Sequence, residues 1–318
     1  MKILIMADGG KGVGLGHIIR TLALAKVLRT QHNVKYICNS RDAFKAGREV
    51  IIKENIDIIT IECESEVLKI EGDFIIVDKY CISQEFIEKL SKKFKVMYID
   101  DNNLLEYYPV DIILNHNVYG EKINYKTNAS ILAGNKYTLI REEFNKYNPI
   151  EIKKNITNVL ITVGGSDDYN LTEKILNILS EDRIIKHVVI ASSFKFKERL
   201  LKIKRKNVKM YYDPNMASLM KEMDMAISAC GSTLNELSYL GIPTIGVIVA
   251  DNQINLAKYM EKNNCIVLSD ISNLDNYISV MSYELRIKLS DNMKKLIDGK
   301  GILRIKAEIE KFDNINKK

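Results

Sequence analysis

Several features that define common protein classes are missing from this sequence of 318 residues. No apolar run reaches the roughly 18 residues that a membrane-spanning helix needs, and the strand-like start KILIM is unlike a secretory signal. The five cysteines are scattered and form no C-x-x-C pair, which disfavours a disulfide framework and a zinc site. These absences predict a cytoplasmic protein without an inserted membrane segment.

Three ligand-binding signatures are also incomplete. Gly10-Lys11 is not followed by the Ser or Thr that a P-loop needs. Gly12, Gly14 and Gly16 place the third glycine one residue early for a dinucleotide-binding fingerprint, and no acidic residue ends the following strand. The sequence contains no D-x-D pair to hold a divalent ion on a diphosphate. We therefore expect neither a metal nor a cofactor.

The formal net charge is +6, but the lysines are spread along the whole chain. The densest basic run, KIKRKNVK at 202–209, is typical of a solvated helix end rather than of a nucleic-acid site. We expect no nucleic-acid partner. A modest positive field would instead help to collect a small anionic ligand.

Strand and helix patterns alternate along the chain, which predicts an α/β protein with mostly parallel sheets. The length suits two domains, and a polar stretch around Pro149 breaks the pattern. We therefore expect two Rossmann-like domains, 1–150 and 151–318, whose sheet edges face each other across a cleft. The predicted strands are 2–7, 34–38, 56–61, 74–78, 96–100 and 111–115, then 159–163, 187–191, 208–212, 225–229, 244–249 and 265–268.

The stretch GGKGVGLGHIIR at 9–20 joins the first strand to a helix. Its glycines indicate either a tight turn without a ligand or a loop that brings backbone close to an anion and presents His17. A histidine on the first helical turn should stay neutral at pH 7 and act as a base. Arg20, one turn on, shares its helix face and could pair Asp100 or Asp101.

Polar residues follow other strands of the first half. Asp78, Asp100 and Asn115 should emerge at carboxyl ends of parallel strands, the edge at which open α/β sheets bind ligands. Asp101 could position water or sugar there, or cap a following helix. His116 is the rival candidate for a catalytic base, although no glycine loop opens space around it.

Three loops of the second half follow strands and precede helices. They are ITVGGSDDYN at 161–170, ISACGSTLNELSYLGIP at 227–243 and VIVADNQINLA at 247–257. Ser232 and Thr233 lie at a helix start, where N–H groups suit a diphosphate. Glu236, one turn on, could either reach a ribose diol or complete a capping box with Thr233.

These motifs carry a resemblance when taken in order. G-x-G-H-x-x-R, GGSD and SACGSTLNEL followed by GIP resemble the GT-B nucleotide-sugar enzymes related to the peptidoglycan N-acetylglucosaminyltransferase. VDKY at 77–80, IDD at 99–101, LNHN at 114–117 and LIREEF at 139–144 narrow it to the family of UDP-2,4-diacetamido-2,4,6-trideoxy-β-L-altropyranose hydrolases of pseudaminic acid synthesis. Lys79 before Tyr80 departs from that pattern.

The resemblance implies hydrolysis of a UDP-sugar at its anomeric carbon with inversion and without metal, His17 being the general base. It implies that Tyr80 and Asn252 line the sugar and diphosphate site and that Glu236 contacts the ribose. A glycosyltransferase with the same UDP-sugar donor and a non-catalytic nucleotide-sugar binding protein are the alternatives. The complete predicted substrate-binding set is Gly14, Gly16, Arg20, Tyr80, Asp101, Asn117, Gly165, Ser166, Ser232, Thr233, Glu236, Asn252 and Gln253.

Overall fold

A computed structural model describes residues 1–165, 167–179, 183–191 and 194–315 of the chain. Their contacts divide the protein into two compact units. The first comprises Met1–Ile140 together with Gly299–Lys318, and the second comprises Arg141–Asp298. Ser166, one of the predicted substrate-binding residues, lies outside the described residues.

The first unit contains a seven-stranded sheet in which every neighbouring pair is parallel. The strand order is 3-2-1-4-5-6-7, which is the Rossmann order with one strand added at the edge. The strands are β1 Lys2–Ala7, β2 Asn33–Asn39, β3 Asp57–Ile61, β4 Phe74–Asp78, β5 Lys95–Ile99, β6 Ile112–Asn115 and β7 Ser130–Ala133.

The second unit contains a six-stranded parallel sheet of order 10-9-8-11-12-13, the same arrangement again. Its strands are β8 Asn158–Thr162, β9 Ile185–Ile190, β10 Val208–Tyr212, β11 Met225–Ala229, β12 Thr244–Val247 and β13 Ile266–Leu268. Each predicted strand is present with its ends within two residues of the prediction. The edge strand β7 was not predicted, because its four residues SILA include two exposed ones and carry no clear pattern.

Helices connect the strands in both units. They are α1 Gly16–Leu28, α2 Lys45–Lys53, α3 Gln84–Lys93, α4 Leu171–Ile178, α5 Lys197–Leu201, α6 Met216–Lys221, α7 Thr233–Leu240, α8 Ile254–Lys262, α9 Leu274–Val280, α10 Tyr283–Leu296 and α11 Gly301–Ile315. Short 3₁₀ turns lie between them, including Glu142–Lys146 and Asp251–Gln253.

Strand β1 shows why the sheet of the first unit is buried on both faces. Ile3 and Ile5 pack into one apolar cluster with residues of α1 and α11, whereas Leu4 and Met6 pack into a second cluster with residues of α3. Successive side chains of a strand point to opposite faces, so a strand covered on both sides needs a continuous apolar run. KILIMA supplies one.

The division of the chain differs from the predicted domains 1–150 and 151–318. The chain passes to the second unit at Arg141, and helix α11 belongs to the first unit. The physical reason is the apolar face of α11, because Ile302, Ile305 and Ile309 are buried in the same cluster as β1 and α1. A sequence pattern shows that a helix is amphipathic, but not which sheet it covers.

Candidate active site

The strand order of the first unit creates a switch point between β1 and β4. The chain leaves β1 toward β2 on one side, whereas β4 lies on the other side. Open α/β sheets bind ligands at such points, outside the carboxyl ends of the strands. Ala7 at the end of β1 pairs with Asp78 at the end of β4, so the residues that follow β1 lie beside Asp78.

His17, on the first turn of α1, is hydrogen-bonded to Asp78. Its Nδ1 lies 2.7 Å from Asp78 Oδ1, and both side chains are buried. His17 is therefore not exposed at the end of the glycine loop, since only 6% of it is accessible. The imidazole of His17 is buried because it lies against the sheet edge, where it is hydrogen-bonded to the carboxylate of Asp78.

Arg20 stabilises the negative charge of Asp78 in this pair. Its Nε donates to Asp78 Oδ2 at 2.7 Å and its Nη2 to Oδ1 at 2.5 Å, a two-pronged contact. Burial opposes ionisation of Asp78, but the guanidinium and the contact with His17 lower the pKa of this carboxyl below its usual value. An ionised carboxylate only accepts hydrogen bonds, so His17 Nδ1 donates to it.

This assignment leaves His17 Nε2 as the atom that carries a lone pair in the neutral imidazole. Nε2 has no hydrogen-bond partner among the described residues. The ring edge of His17 packs against Tyr80, with ring centroids 4.4 Å apart at 75°. A histidine fixed by a carboxylate at one nitrogen and open at the other has the arrangement of a general base.

Asp101 is hydrogen-bonded to three other predicted site residues of the first unit. Its Oδ2 accepts from Arg20 Nη1 at 2.7 Å and from the Tyr80 hydroxyl at 3.1 Å. Its Oδ1 accepts from Asn117 Nδ2 at 2.8 Å. Burial opposes ionisation, but Arg20 and His116 lower the pKa of Asp101 well below its usual range.

Asp101 does not cap a helix, which settles the alternative role suggested by the sequence. The chain forms a turn after it, and the nearby backbone N–H of Asn103 donates to Asp100 instead. Of the two acids proposed to pair Arg20, Asp101 does so, while Asp100 accepts from the Tyr125 hydroxyl at 2.8 Å.

His116, the rival base, lies in the same cluster. Its Nε2 accepts from Arg20 Nη1 at 2.9 Å, and its Nδ1 is buried without a partner among the described residues. Burial and the adjacent guanidinium lower the pKa of His116 to about 4. With its accessible lone pair occupied by Arg20, His116 is poorly placed to accept a proton from water.

The glycines around the start of α1 differ in whether the fold requires a glycine at that position. Gly10, at φ +152°, exchanges hydrogen bonds with Gly14 across the loop, and a Cβ at Gly10 would lie 2.0 Å from the Ala43 carbonyl oxygen. Gly14 has a positive φ of 69°, whereas Gly16 has neither a positive φ nor any atom within 4 Å of its Cβ position. Folding therefore explains Gly10 and leaves open space beside Gly16.

The second unit repeats the switch point between β8 and β11. Gly165 follows β8, and Ser232 and Thr233 follow β11 and begin α7. No side chain caps α7, so the predicted capping box of Thr233 and Glu236 is absent. The backbone N–H groups of Ser232 and Thr233 have no partner within the described part of the chain.

Helix α4 differs from α7 in this respect. It follows another of the three loops noted in the sequence, but Asp167 accepts hydrogen bonds from the backbone N–H groups of Leu171 and Thr172 at 2.6 and 3.0 Å. A buried carboxylate at this end already satisfies two of the orphan donors of α4. The start of α7 is thus the more suitable anion site.

Glu236 is held by a residue that the sequence analysis did not single out. Arg141 Nε donates to Glu236 Oε1 at 2.6 Å and Nη2 donates to Oε2 at 2.9 Å. Burial raises the pKa of Glu236, and the guanidinium offsets part of that rise. Arg141 belongs to the LIREEF motif, but no local pattern shows that it pairs a residue on α7.

Asn252 and Gln253 lie in the 3₁₀ turn before α8. Gln253 Oε1 accepts from the Val249 backbone N–H at 3.0 Å, and its Nε2 lies 3.9 Å from the Cβ position of Gly231. Gln253 is therefore close to the loop that begins α7. Asn252 is exposed beside it.

Each unit thus contains its own set of candidate residues. In the first unit the predicted residues His17, Arg20, Tyr80, Asp101 and Asn117 form one network, to which Asp78 and His116 also belong. Asp78 was noted at a strand end but not assigned a role, because its neighbour depends on strand order.

Within the described part of the chain, no group of three or more His, Cys, Asp or Glu side chains is arranged to hold a metal ion. No described helix is both long and apolar enough to cross a bilayer.

Comparison with known proteins identifies the fold of the chain. Residues 158–290 match the model of the glycosyltransferase family 28 C-terminal domain. The structure is similar to MurG of Acinetobacter baumannii, with a TM-score of 0.69 at 14% identity over 98% of this chain and 99% of that one. The predicted GT-B fold with two parallel-sheet α/β domains is confirmed.

One of two relatives agrees with the narrower resemblance. The UDP-2,4-diacetamido-2,4,6-trideoxy-β-L-altropyranose hydrolase of Campylobacter jejuni is 29% identical over 82% of this chain and 97% of its own length. A protein of Methanocaldococcus jannaschii, described as uncharacterized, is 33% identical over 77% of this chain. The chain spans only about half, 55%, of that second relative.

Proposed function

Because this chain has the GT-B fold and is a relative of the UDP-diacetamido-trideoxyhexose hydrolases, we propose that it is an enzyme of the same reaction class. It hydrolyses a UDP-activated 2,4-diacetamido-2,4,6-trideoxyhexose at the anomeric carbon. The products are UDP and the free sugar, a precursor of nonulosonic (pseudaminic) acid.

The observation that carries this proposal is the buried pair of His17 and Asp78 at the switch point. Water attacks the anomeric carbon and gives a proton to His17 Nε2. The bond from this carbon to the diphosphate oxygen breaks, and UDP leaves with the electron pair. A single displacement inverts the configuration, and Asp78 stabilises the imidazolium that forms.

The leaving group needs stabilisation but little protonation, because a diphosphate is already a stable anion. We assign the free N–H groups at the start of α7, Gly165, Ser166 and the Asn252–Gln253 turn to the diphosphate. Glu236 is assigned to the ribose hydroxyls. No divalent metal takes part in this proposal, since the sequence lacks the D-x-D pair that usually holds one.

The sugar is assigned to the network around Asp101. The Tyr80 hydroxyl donates to Asp101 and retains its lone pairs for a donor on the substrate. Asn117 is oriented by Asp101, and Gly14 and Gly16 leave room for the sugar and the attacking water. Arg20 fixes the carboxylates of Asp78 and Asp101. Its effect on the substrate is therefore indirect.

The alternative is a glycosyltransferase that uses the same donor with an acceptor alcohol in place of water. The family match over 158–290 and the similarity to MurG favour it as the second candidate. The two reactions share the nucleotide site and differ in what occupies the space beside His17 Nε2.

One experiment separates these functions. The protein is incubated with UDP-sugars that differ in their acetamido groups, in excess chelator, with and without acceptor alcohols and in ¹⁸O-labelled water. We expect UDP and free sugar in equal amounts, with label at the anomeric carbon and inverted configuration in fresh NMR spectra. Product formation only with an acceptor would establish a transferase, and activity only with added magnesium would contradict the metal-free mechanism.

Replacement of the proposed base tests the mechanism. The change His17→Asn should lower kcat by about 10²–10⁴-fold, the usual contribution of a positioned base, and leave UDP binding nearly unchanged. The matched control is His187→Asn, since His187 is a buried histidine of the second sheet that bonds Tyr211 and Asn158. Near-normal turnover of His17→Asn in a folded protein would contradict the assignment and make His116 the next residue to test.

A further inference from the structure

The contact between Arg141 and Glu236 is two-pronged and largely buried. Two guanidinium nitrogens each donate to a different carboxylate oxygen, at 2.6 and 2.9 Å. The Arg141 side chain is 27% exposed and that of Glu236 is 11% exposed, so the pair is largely withdrawn from water. A paired arrangement of this kind fixes both the position and the rotation of a carboxylate.

Arg141 is itself held in place by its surroundings. Its guanidinium carbon lies 5.2 Å from the ring centre of Phe144, which is fully buried. Its third nitrogen, Nη1, lies 3.2 Å from Glu143. The backbone N–H of Ile150 donates to the carbonyl of Leu240 at 2.8 Å, which ties the same segment to the end of α7.

We propose that Arg141 is a positioning residue of the nucleotide site, which fixes the Glu236 carboxylate so that one lone pair on each oxygen stays available to the two ribose hydroxyls of a uridine nucleotide. This inference rests on the function proposed above. Arg141 acts through Glu236, while the nucleotide contacts Glu236 itself.

The acceptor count of a carboxylate supports this role. Two oxygens offer about four lone-pair positions, and the arginine fork uses one on each. The other position on each oxygen can accept from a hydroxyl, and two adjacent hydroxyls match two fixed oxygens. A carboxyl group that rotated freely would lose entropy when it bound both.

The second part of the role is electrostatic. Glu236 is buried, which favours its protonated form, and a protonated carboxyl offers one acceptor fewer. The charged groups that face it are Arg141, which favours the carboxylate, and Glu143, which opposes it. Without Arg141 the carboxylate would therefore protonate at a higher pH.

Calorimetric titration with UDP and with 2′-deoxy-UDP tests the proposal on the full chain. The variants are Arg141→Gln and Arg141→Lys, and Lys146→Gln is the matched control, because Lys146 is an exposed cation of the 3₁₀ turn that directly follows Arg141. We expect Arg141→Gln to weaken UDP binding by about 10- to 100-fold, the range for a lost charge-assisted contact. Arg141→Lys should lie between it and the wild type, and the control should match the wild type.

Three readouts separate positioning from simple support of the fold. The loss caused by Arg141→Gln should be smaller for 2′-deoxy-UDP, which already lacks one of the two hydroxyl contacts. UDP affinity of Arg141→Gln should fall as the pH is lowered from 8 to 5.5, more steeply than that of the wild type. Turnover at saturating substrate should change little, so that the effect lies in KM.

Equal Kd values for UDP in wild type and Arg141→Gln would overturn the proposal, and so would an equal loss for both nucleotides. If Arg141→Gln fails to fold, the same comparisons are made with Arg141→Lys, whose single ammonium cannot form the two-pronged contact. Absence of UDP binding by the wild type would instead contradict the proposed function, on which this inference depends.

Discussion

At the scale of single residues, one guanidinium pairs both buried carboxylates of the network in the first unit. Arg20 contacts two carboxylates, those of Asp78 and Asp101, and the neutral imidazole of His116. Buried charges are tolerated only when they are paired and hydrogen-bonded. The arrangement leaves His17 Nε2 as the group of the network that is open to a proton.

The role of Asp78 is tested by the isosteric change Asp78→Asn. An amide can donate to His17 Nδ1 and so favour the tautomer with its proton on Nε2, where it cannot act as a base. We expect kcat to fall by about 10²–10⁴-fold with little change in KM. The control is Asp111→Asn, a carboxylate of the same unit that bonds Lys95 and the backbone of Val96. Equal kcat values in Asp78→Asn and the wild type would refute the pairing as a catalytic feature.

The titration of His116 should appear in the acid stability of the protein. Its pKa is near 6.5 in the unfolded chain and is lowered to about 4 in the folded one. Between these values the unfolded chain binds more protons, so the free energy of unfolding falls as pH is lowered through this window, by about 3 kcal/mol, and is constant above it. The free energy of unfolding, measured with urea at pH 7.5, 5.5 and 4.5, should fall less with decreasing pH in His116→Asn than in the wild type. An identical pH dependence of the two proteins would contradict the lowered pKa.

At the scale of elements, the loop between β1 and α1 separates structural from functional glycines. Gly10 packs against Ala43 and has a backbone conformation that other residues avoid, whereas Gly16 begins α1 in open space. The two positions differ in what a methyl group would meet, although they are six residues apart in one motif.

Alanine at each position gives opposite expectations. Gly10→Ala should destabilise the protein by about 2–4 kcal/mol, because the Cβ overlaps the Ala43 carbonyl oxygen. Gly16→Ala should preserve or slightly raise the melting temperature, since alanine favours a helix, while kcat/KM falls because the methyl group occupies space assigned to substrate. Unchanged kcat/KM in Gly16→Ala would show that no substrate approaches this residue.

At the scale of the whole molecule, helix α11 completes the first unit from the far end of the sequence. Ile302, Ile305 and Ile309 lie in the core that contains β1 and α1, and Leu303 is exposed on the same helix. The first unit therefore includes the last element of the chain, and its stability depends on residues that the sequence pattern assigned to the second domain.

The pair Ile305→Ala and Leu303→Ala tests this division. Ile305 is fully buried, so its truncation should cost about 2–5 kcal/mol, whereas the change at Leu303 should be nearly neutral. Hydrogen exchange should show lost protection in β1 and α1 of Ile305→Ala and unchanged protection in β8 and β11. Loss of protection in β8 and β11 alone would support the domain 151–318 that the sequence predicted.

The amino-acid sequence by itself determined the alternating strands and helices, the two parallel α/β units and most members of the candidate site. These follow from local features, namely apolar runs that end in polar residues and glycines before helix starts, together with the motifs of the resemblance. His17, Arg20 and the acids at strand ends could be found in this way because each lies within a few residues of its own signal.

Only the tertiary structure decided which of these residues meet. Asp78 reaches His17 because β4 lies beside β1, Arg141 reaches Glu236 although 95 positions separate them, and α11 returns to the first sheet. Such contacts depend on strand order and on which apolar faces bury each other, and neither leaves a periodic trace along the chain. That is why the elements were predictable from sequence, whereas the partners that position the candidate base and the candidate ribose ligand were not.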